Sequence, residues 1–285
     1  MPTTDVQPKS LDGIKRLAKS ISRRDGIKHA EALSMAASQA GYSNYQHALR
    51  TLSASDKVAP TPRHVTYIVV PWHDRKSEQH GQEVIKATLK KPLDEIIKPT
   101  QYRDARTLWR FRRGASDKIV CEGGIESADQ AVLLACAAAR VLQFMASTAL
   151  HPMATSSPVP HRYVDTSIPG NDHLSTWYDP TSKRYVTLDE PYAESVSSLS
   201  AKRAAWARRH GWDLLKSEWP GLYFPEGGCD LYIMAEREKG FPAHILEAAL
   251  KDIGSPIMPD NCDRVQISYR ESFRSPGEFD PAVNS

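Results

Sequence analysis

The sequence predicts an α+β protein: an N-terminal three-helix, helix-turn-helix-like module, then a mixed α/β body open to description as two related β-β-α-β-β-α units. Three observations carry this. Residues 11–52 keep a helical period without a strand signal, residues 53–63 (SASDKVAPTPR) have the composition of a linker, and from His64 onward short β-branched and aromatic runs alternate with helical stretches.

In the first helix Ile14, Leu17, Ala18 and Ile21 recur at helical spacing while Lys15, Arg16, Lys19, Arg23 and Arg24 take the other positions, and Asp25-Gly26 stops it. A second helix is expected from about His29 to Ala40, ended by Gly41, with Ser43 or Asn44 capping a third through Leu52. The opening ten residues are polar with two prolines and are expected to be disordered. The domain plan is thus 1–10 disordered, 11–53 helical module, 54–63 linker, 64–151 first α/β unit, 161–255 second, and 272–285 tail.

In the body, 66–70 and 83–89 read as strands, and 108–111 with 118–121 as a hairpin. An apolar helix follows from Ser127-x-x-Gln130, a capping-box pattern; Arg140 and Gln143 interrupt it, which favours a buried helix over a membrane span. Ser175–Tyr178 and Arg184–Leu188 flank an Asp-Pro turn, a helix is expected over 200–210 with Gly211 as its stop, 222–224 with 230–234 reads as another hairpin, and 243–252 as the last helix. Thr88-Leu-Lys-Lys-Pro92 matches Thr187-Leu-Asp-Glu-Pro191, and Glu122-Gly-Gly matches Glu226-Gly-Gly, about 100 residues apart. Duplication and chance coincidence both explain matches this short.

The formal net charge is +3, but residues 1–63 hold ten Lys/Arg against five Asp/Glu, so they carry +5 and the other 222 residues carry −2. A basic end on a near-neutral molecule points to an acidic partner. The four cysteines, Cys121, Cys136, Cys229 and Cys262, form no C-x-x-C pair and fit reduced thiols. The opening Met1-Pro-Thr-Thr-Asp lacks the charged start and apolar stretch of a signal peptide, so the cytoplasm is the expected location, with no membrane partner.

The stretch Lys28–Leu49 places Ala37 four residues before Gly41, which lets two helices approach across a tight turn filled by Tyr42 and Tyr45. On these residues the segment resembles the second helix-turn-helix of AraC-type regulators. With Lys15, Leu17, Ala18, Lys19, His29, Ala32, Leu33, Gly41, Tyr42, Asn44 and Tyr45 it is more similar to an N-terminal helical module of some bacterial glyoxalase-related and plasmid-borne proteins. With Asp189-Glu-Pro-Tyr192 and Leu142-Gln-Phe-Met145 added, the whole chain resembles a bacterial family known only as a domain of unknown function. AraC regulators carry a large apolar residue where Ala48 stands. The helix-turn-helix resemblance implies DNA or RNA as partner, with Asn44, Gln46, His47 and Arg50 toward the groove and Lys15, Arg16, Lys19, Arg23 and Arg24 on phosphates. A protein partner docking on the same module is the alternative.

No catalytic residue, metal or cofactor is assigned, and the body's other polar motifs have ordinary explanations. Trp72-His73-Asp74 follows a strand, where neighbouring side chains point apart. Asp172 and His173, with His151, His161 and Asp179, would make a metal site only if they converge, and the glyoxalase-like enzyme this suggests lacks a recurring His-Glu pair. Lys202, Arg203, Arg208, Arg209 and His210 around Trp206 read as a solvated face over a buried ring, or a second nucleic-acid contact. Trp177, Trp206, Trp212 and Trp219 are expected in a core, with a stacking surface as alternative.

Overall fold

The computed structural model describes residues 11–49, 63–153, 168–265, 267 and 271–279. Helices and sheets are both present, and the chain forms two compact units, Met1–Thr61 and Pro62–Ser285. The expected disordered start, the linker and Arg50 lie outside the described residues.

In the first unit α1 (Leu11–Asp25) and α2 (His29–Gln39) pack together, and residues 45–49 form the helical segment α3. Gly26 ends α1 at φ +67. Gly41, at φ +86, ends α2: its N–H reaches the Ser38 carbonyl and the Tyr42 N–H the Ala37 carbonyl, a pair of bonds that requires the left-handed backbone glycine tolerates. Asn44, not Ser43, caps α3, accepting the His47 N–H at 2.8 Å. The core is small and alanine-rich: Ile14, Ala18, Ile21, Ala32, Ala36, Ala37 and Ala48, with Tyr42 and Tyr45 against it. Ala48 is fully buried in this core.

The second unit holds two five-stranded sheets. In the first, β1 (His64–Asp74) and β2 (Gln79–Leu89) form a long antiparallel hairpin, and β1 runs parallel to β4 (Lys118–Cys121), which pairs with β3 (Phe111–Ala115). In the second, β6 (Ser175–Asp179) pairs with β5 (His151–Pro152) and with β7 (Arg184–Asp189), and β7 meets β9 (Tyr232–Glu236). The partner of β9 is β8 (Trp212–Lys216), not residues 222–224. Residues 217–231 instead form a loop whose backbone is held by buried side chains.

The apolar helix α5 (Ala128–Thr148), N-capped by Ser127 accepting the Gln130 N–H, is the centre of the body. It passes the length and hydropathy test for a membrane span but is mostly buried in the protein. Its residues share one core with strand residues of both sheets and with α8 (Ala243–Lys251). Phe144 against Trp177, with ring centroids 4.6 Å apart, is one such contact. The two halves of the body are therefore layers around one core. Trp177, Trp206, Trp212 and Trp219 are all buried, as core residues. Residues 271–279 are packed rather than a free tail: Ser275 is fully buried and donates to Asp117, Gly277 N–H reaches the same carboxylate, and Glu278 pairs with Lys118.

Residue order in the halves is alike: hairpin, Pro92 then α4 (Leu93–Ile96), hairpin and helix; hairpin, Pro191 then α6 (Ala193–Ser197) and α7 (Ser200–His210), hairpin and α8. Strand order differs, β2-β1-β4-β3 against β6-β7-β9-β8. The Thr-Leu-x-x-Pro match falls at equivalent places. Glu122-Gly-Gly follows its hairpin whereas Glu226-Gly-Gly lies inside one, so that match does not.

Candidate nucleic-acid interface and the polar interior of the body

On α1, at 100° per residue, Ile14, Leu17, Ala18 and Ile21 fall within an arc of roughly 100°, and Ile14, Ala18 and Ile21 are buried. Lys15, Arg16, Lys19 and Arg23 fall within a second arc of roughly 100° centred almost opposite, and all four are exposed. Arg24 sits on the flank and forks onto Asp25 at 2.8 and 2.9 Å. That pairing raises the Arg24 pKa and lowers that of Asp25. Arg16, Lys19, Ser20, Arg23 and Arg24 line one shallow groove. The structure thus brings Lys15, Arg16, Lys19 and Arg23 together on one side of one helix, with Arg24 at the edge of the apolar stripe.

The expected base-reading residues are more engaged. Asn44 spends its carbonyl oxygen on the His47 N–H, and His47 Nδ1 accepts from Ser43, N–H at 3.3 Å and hydroxyl at 3.0 Å. Gln46 is exposed on α3.

The remaining polar candidates resolve differently. His73 and Asp74 are at the tip of the β1–β2 hairpin, where Asp74 accepts from Lys76 and Ser77 within the turn. Among the described residues no three His, Cys, Asp or Glu side chains converge as metal ligands, and His161 lies outside them. Arg203 is not on a solvated face: it is buried, 2.5 Å from the buried Asp189, donates to the Pro169 carbonyl, and stacks 4.5 Å over Tyr232. Burial raises the Asp189 pKa, opposed by the Arg203 hydrogen bond.

Sequence reasoning missed a second set of interior charges. Arg140 projects from the apolar α5 with no exposure and donates to the carbonyls of Leu222, Tyr223 and Ile257 and to Glu226. Glu190 accepts the Leu222 and Tyr223 N–H groups at 2.7 and 2.9 Å through Oε2. Arg140 and Glu190 thus hold the carbonyls and the N–H groups of the same two residues, and grip the Leu222–Tyr223 peptide from both sides. Its burial raises the Glu190 pKa. Gly221, at φ +122, admits no side chain because a Cβ there would meet Glu190 Oε2 at 2.6 Å. Asp189-Glu-Pro-Tyr192 was the one advance signal for this network, and it carried no role.

No protein-family model, curated protein or solved structure matches the chain.

Proposed function

We propose that the chain is a non-enzymatic accessory or regulatory protein that binds nucleic acid through its N-terminal helical unit, working in the cytoplasm. The carrying observation is the segregation on α1: four exposed cations opposite a buried apolar stripe, with Arg24 on the flank. A cationic ridge of this kind suits a phosphate backbone, whose contacts release counterions. The glycine turn at Gly41 and the Asn44 cap support reading α2 and α3 as a helix-turn-helix-like pair in a three-helix module, in which Asn44, Gln46, His47 and Arg50 are the residues expected from the sequence to face the groove. On this reading the body is the regulatory or interaction platform. The common element order of its halves, with the Thr-Leu-x-x-Pro match, supports a duplication whose strand pairing later diverged.

The test is fluorescence anisotropy of the full chain with labelled duplex DNA, and with RNA, across a salt series. Five phosphate contacts give a slope of log affinity against log salt of about −4.5 on duplex DNA. Reversing Lys15, Arg16, Lys19, Arg23 and Arg24 to Glu should abolish binding at moderate salt without changing the fold. Binding that ignores salt, or survives the reversals, overturns the reading. Absence of nucleic-acid binding with salt-sensitive capture of an acidic protein would assign the same face to a protein partner instead.

A further inference from the structure

Three arginines reach into the polar interior of the body, and they are not equally satisfied. Arg140 and Arg203 each meet a carboxylate and backbone carbonyls. Arg106, half-buried, makes one hydrogen bond among the described residues, from Nη2 to His173 Nδ1 at 3.0 Å, and lies 4.4 Å over the Tyr223 ring. No ion pair joins it to a carboxylate among the described residues. Its nearest anions are committed elsewhere: Glu190 Oε2 to two backbone N–H groups, and Asp172 Oδ1 to the His173 N–H at 2.8 Å. Guanidinium groups away from water are ordinarily paired.

The backbone around Arg106 is also unusual. Thr107 has φ +68 and ψ −50, and the Leu108 N–H bonds to the Arg106 carbonyl at 2.7 Å, a tight γ-turn that β-branched residues rarely enter. His173 has φ +54. Thr107 and His173 thus both hold positive φ, the first next to Arg106 in the chain and the second its hydrogen-bond partner, and such backbone is associated with ligand sites. The His173 ring lies between Tyr223, 3.9 Å away, and Tyr192, 5.7 Å away. Arg106 can only donate, so its bond to Nδ1 belongs to the tautomer with the ring proton on Nε2, a buried atom with no partner among the described residues, while Asp172 Oδ1, 3.2 Å from the same Nδ1, favours the other.

We propose that Arg106, held by His173 at Nδ1, forms a binding site for an oxyanion, a carboxylate or phosphate group carried by a small ligand, with the guanidinium donors that His173 does not use as the fork and Tyr192 and Tyr223 as its walls. The site draws its parts from the turn before β3, the approach to β6, the Pro191 bend and the 217–231 loop. It is independent of the nucleic-acid reading.

The experiment titrates the full chain, carrying the five charge reversals on α1 so that those cations cannot contribute, with inorganic phosphate or with benzoate at constant ionic strength. The readout is the His173 ring resonance in NMR, assigned by its loss in His173→Asn. The expected result is a saturable shift with a Kd on the order of 1 mM for a single charge-assisted fork, with the preferred probe separating phosphate from carboxylate ligands. Arg106→Met should remove the response. Asp172→Asn, which withdraws a neighbouring negative charge from a partly exposed position, should tighten binding by about five-fold. A His173 resonance unmoved by both probes in the parent chain, or a response that persists in Arg106→Met, overturns the proposal.

Discussion

The two units of this protein use cations in opposite ways. On α1, Lys15, Arg16, Lys19 and Arg23 are exposed on the face opposite an alanine-rich core. In the body, Arg140 and Arg203 are buried as deeply as any leucine and hold loops together. The contrast separates charge that is available from charge that is consumed. An exposed cation keeps its long-range field for a partner, whereas a buried one has exchanged hydration for fixed acceptors, and its removal strands them. Sequence charge counts treat the two alike.

The largest expected effect tests that division directly. Arg140→Met or Arg203→Met should destabilise the body by about 3–5 kcal/mol, because Glu226 or Asp189 is left buried without its partner. Arg16→Met or Lys19→Met should stay within about 0.5 kcal/mol. Urea denaturation of the four variants checks both. Equal losses in the two groups would dissolve the distinction.

Gly221→Ala comes next, at about 2 kcal/mol. The new methyl meets Glu190 Oε2 and the backbone at φ +122 resists a side chain. Combined with Glu190→Ala, the loss should be smaller than the sum of the single variants, since the obstructing carboxylate is gone. Additivity would mean that Gly221 is required by backbone angle alone.

In the N-terminal unit, Asn44→Ala should cost about 1 kcal/mol of local stability, measured by amide exchange over 45–49, since it removes the cap of α3. Asn44 was expected both to cap and to face a nucleic-acid groove. If capping is its whole role, duplex affinity is unchanged under conditions where the unit remains folded. A loss of affinity in the folded variant would restore it as a contact residue.

What the sequence revealed follows from which interactions are local. The α1 periodicity, the Gly26 and Gly41 stops, the Ser127 cap and the hairpin at 179–183 depend on neighbours a few residues apart, and each stands in the structure, whereas the strand expected over 108–111 lies at Phe111–Ala115, after a 3-10 turn at Leu108–Arg110. The strand at 212–216 was missed because Trp212-Asp-Leu-Leu-Lys216 alternates poorly and directly follows a helix stop, while 222–224 is aromatic enough to imitate a strand. The buried charges were invisible for a different reason. Arg140 meets Leu222 and Ile257, and Arg106 meets His173, across separations that no period encodes. Arg203 sits among Lys202, Arg208 and Arg209, and only the Asp189 carboxylate beneath the helix distinguishes it from them.

The smallest expected effect is in the pH dependence of stability, and it bears on Arg106, which has no carboxylate partner among the described residues. Burial, with Arg106 alongside, lowers the His173 pKa against the opposing pull of Asp172 and Asp189. Between that lowered value and the ordinary imidazole value the unfolded chain binds more protons than the native one. Stability should therefore rise with pH up to the ordinary imidazole range, and His173 should contribute nothing further above it. Tyr192 and Tyr223 are the other groups against the ring. The raised pKa of Glu190 works in the reverse sense, removing stability as pH rises through and above the usual carboxylate range, so the two must be separated. Subtracting the stability profile of His173→Asn, a residue that tolerates φ +54, from that of the parent isolates the histidine. A difference curve that falls with rising pH would mean that Asp172, rather than Arg106, governs the ring, and would place the proton on Nδ1.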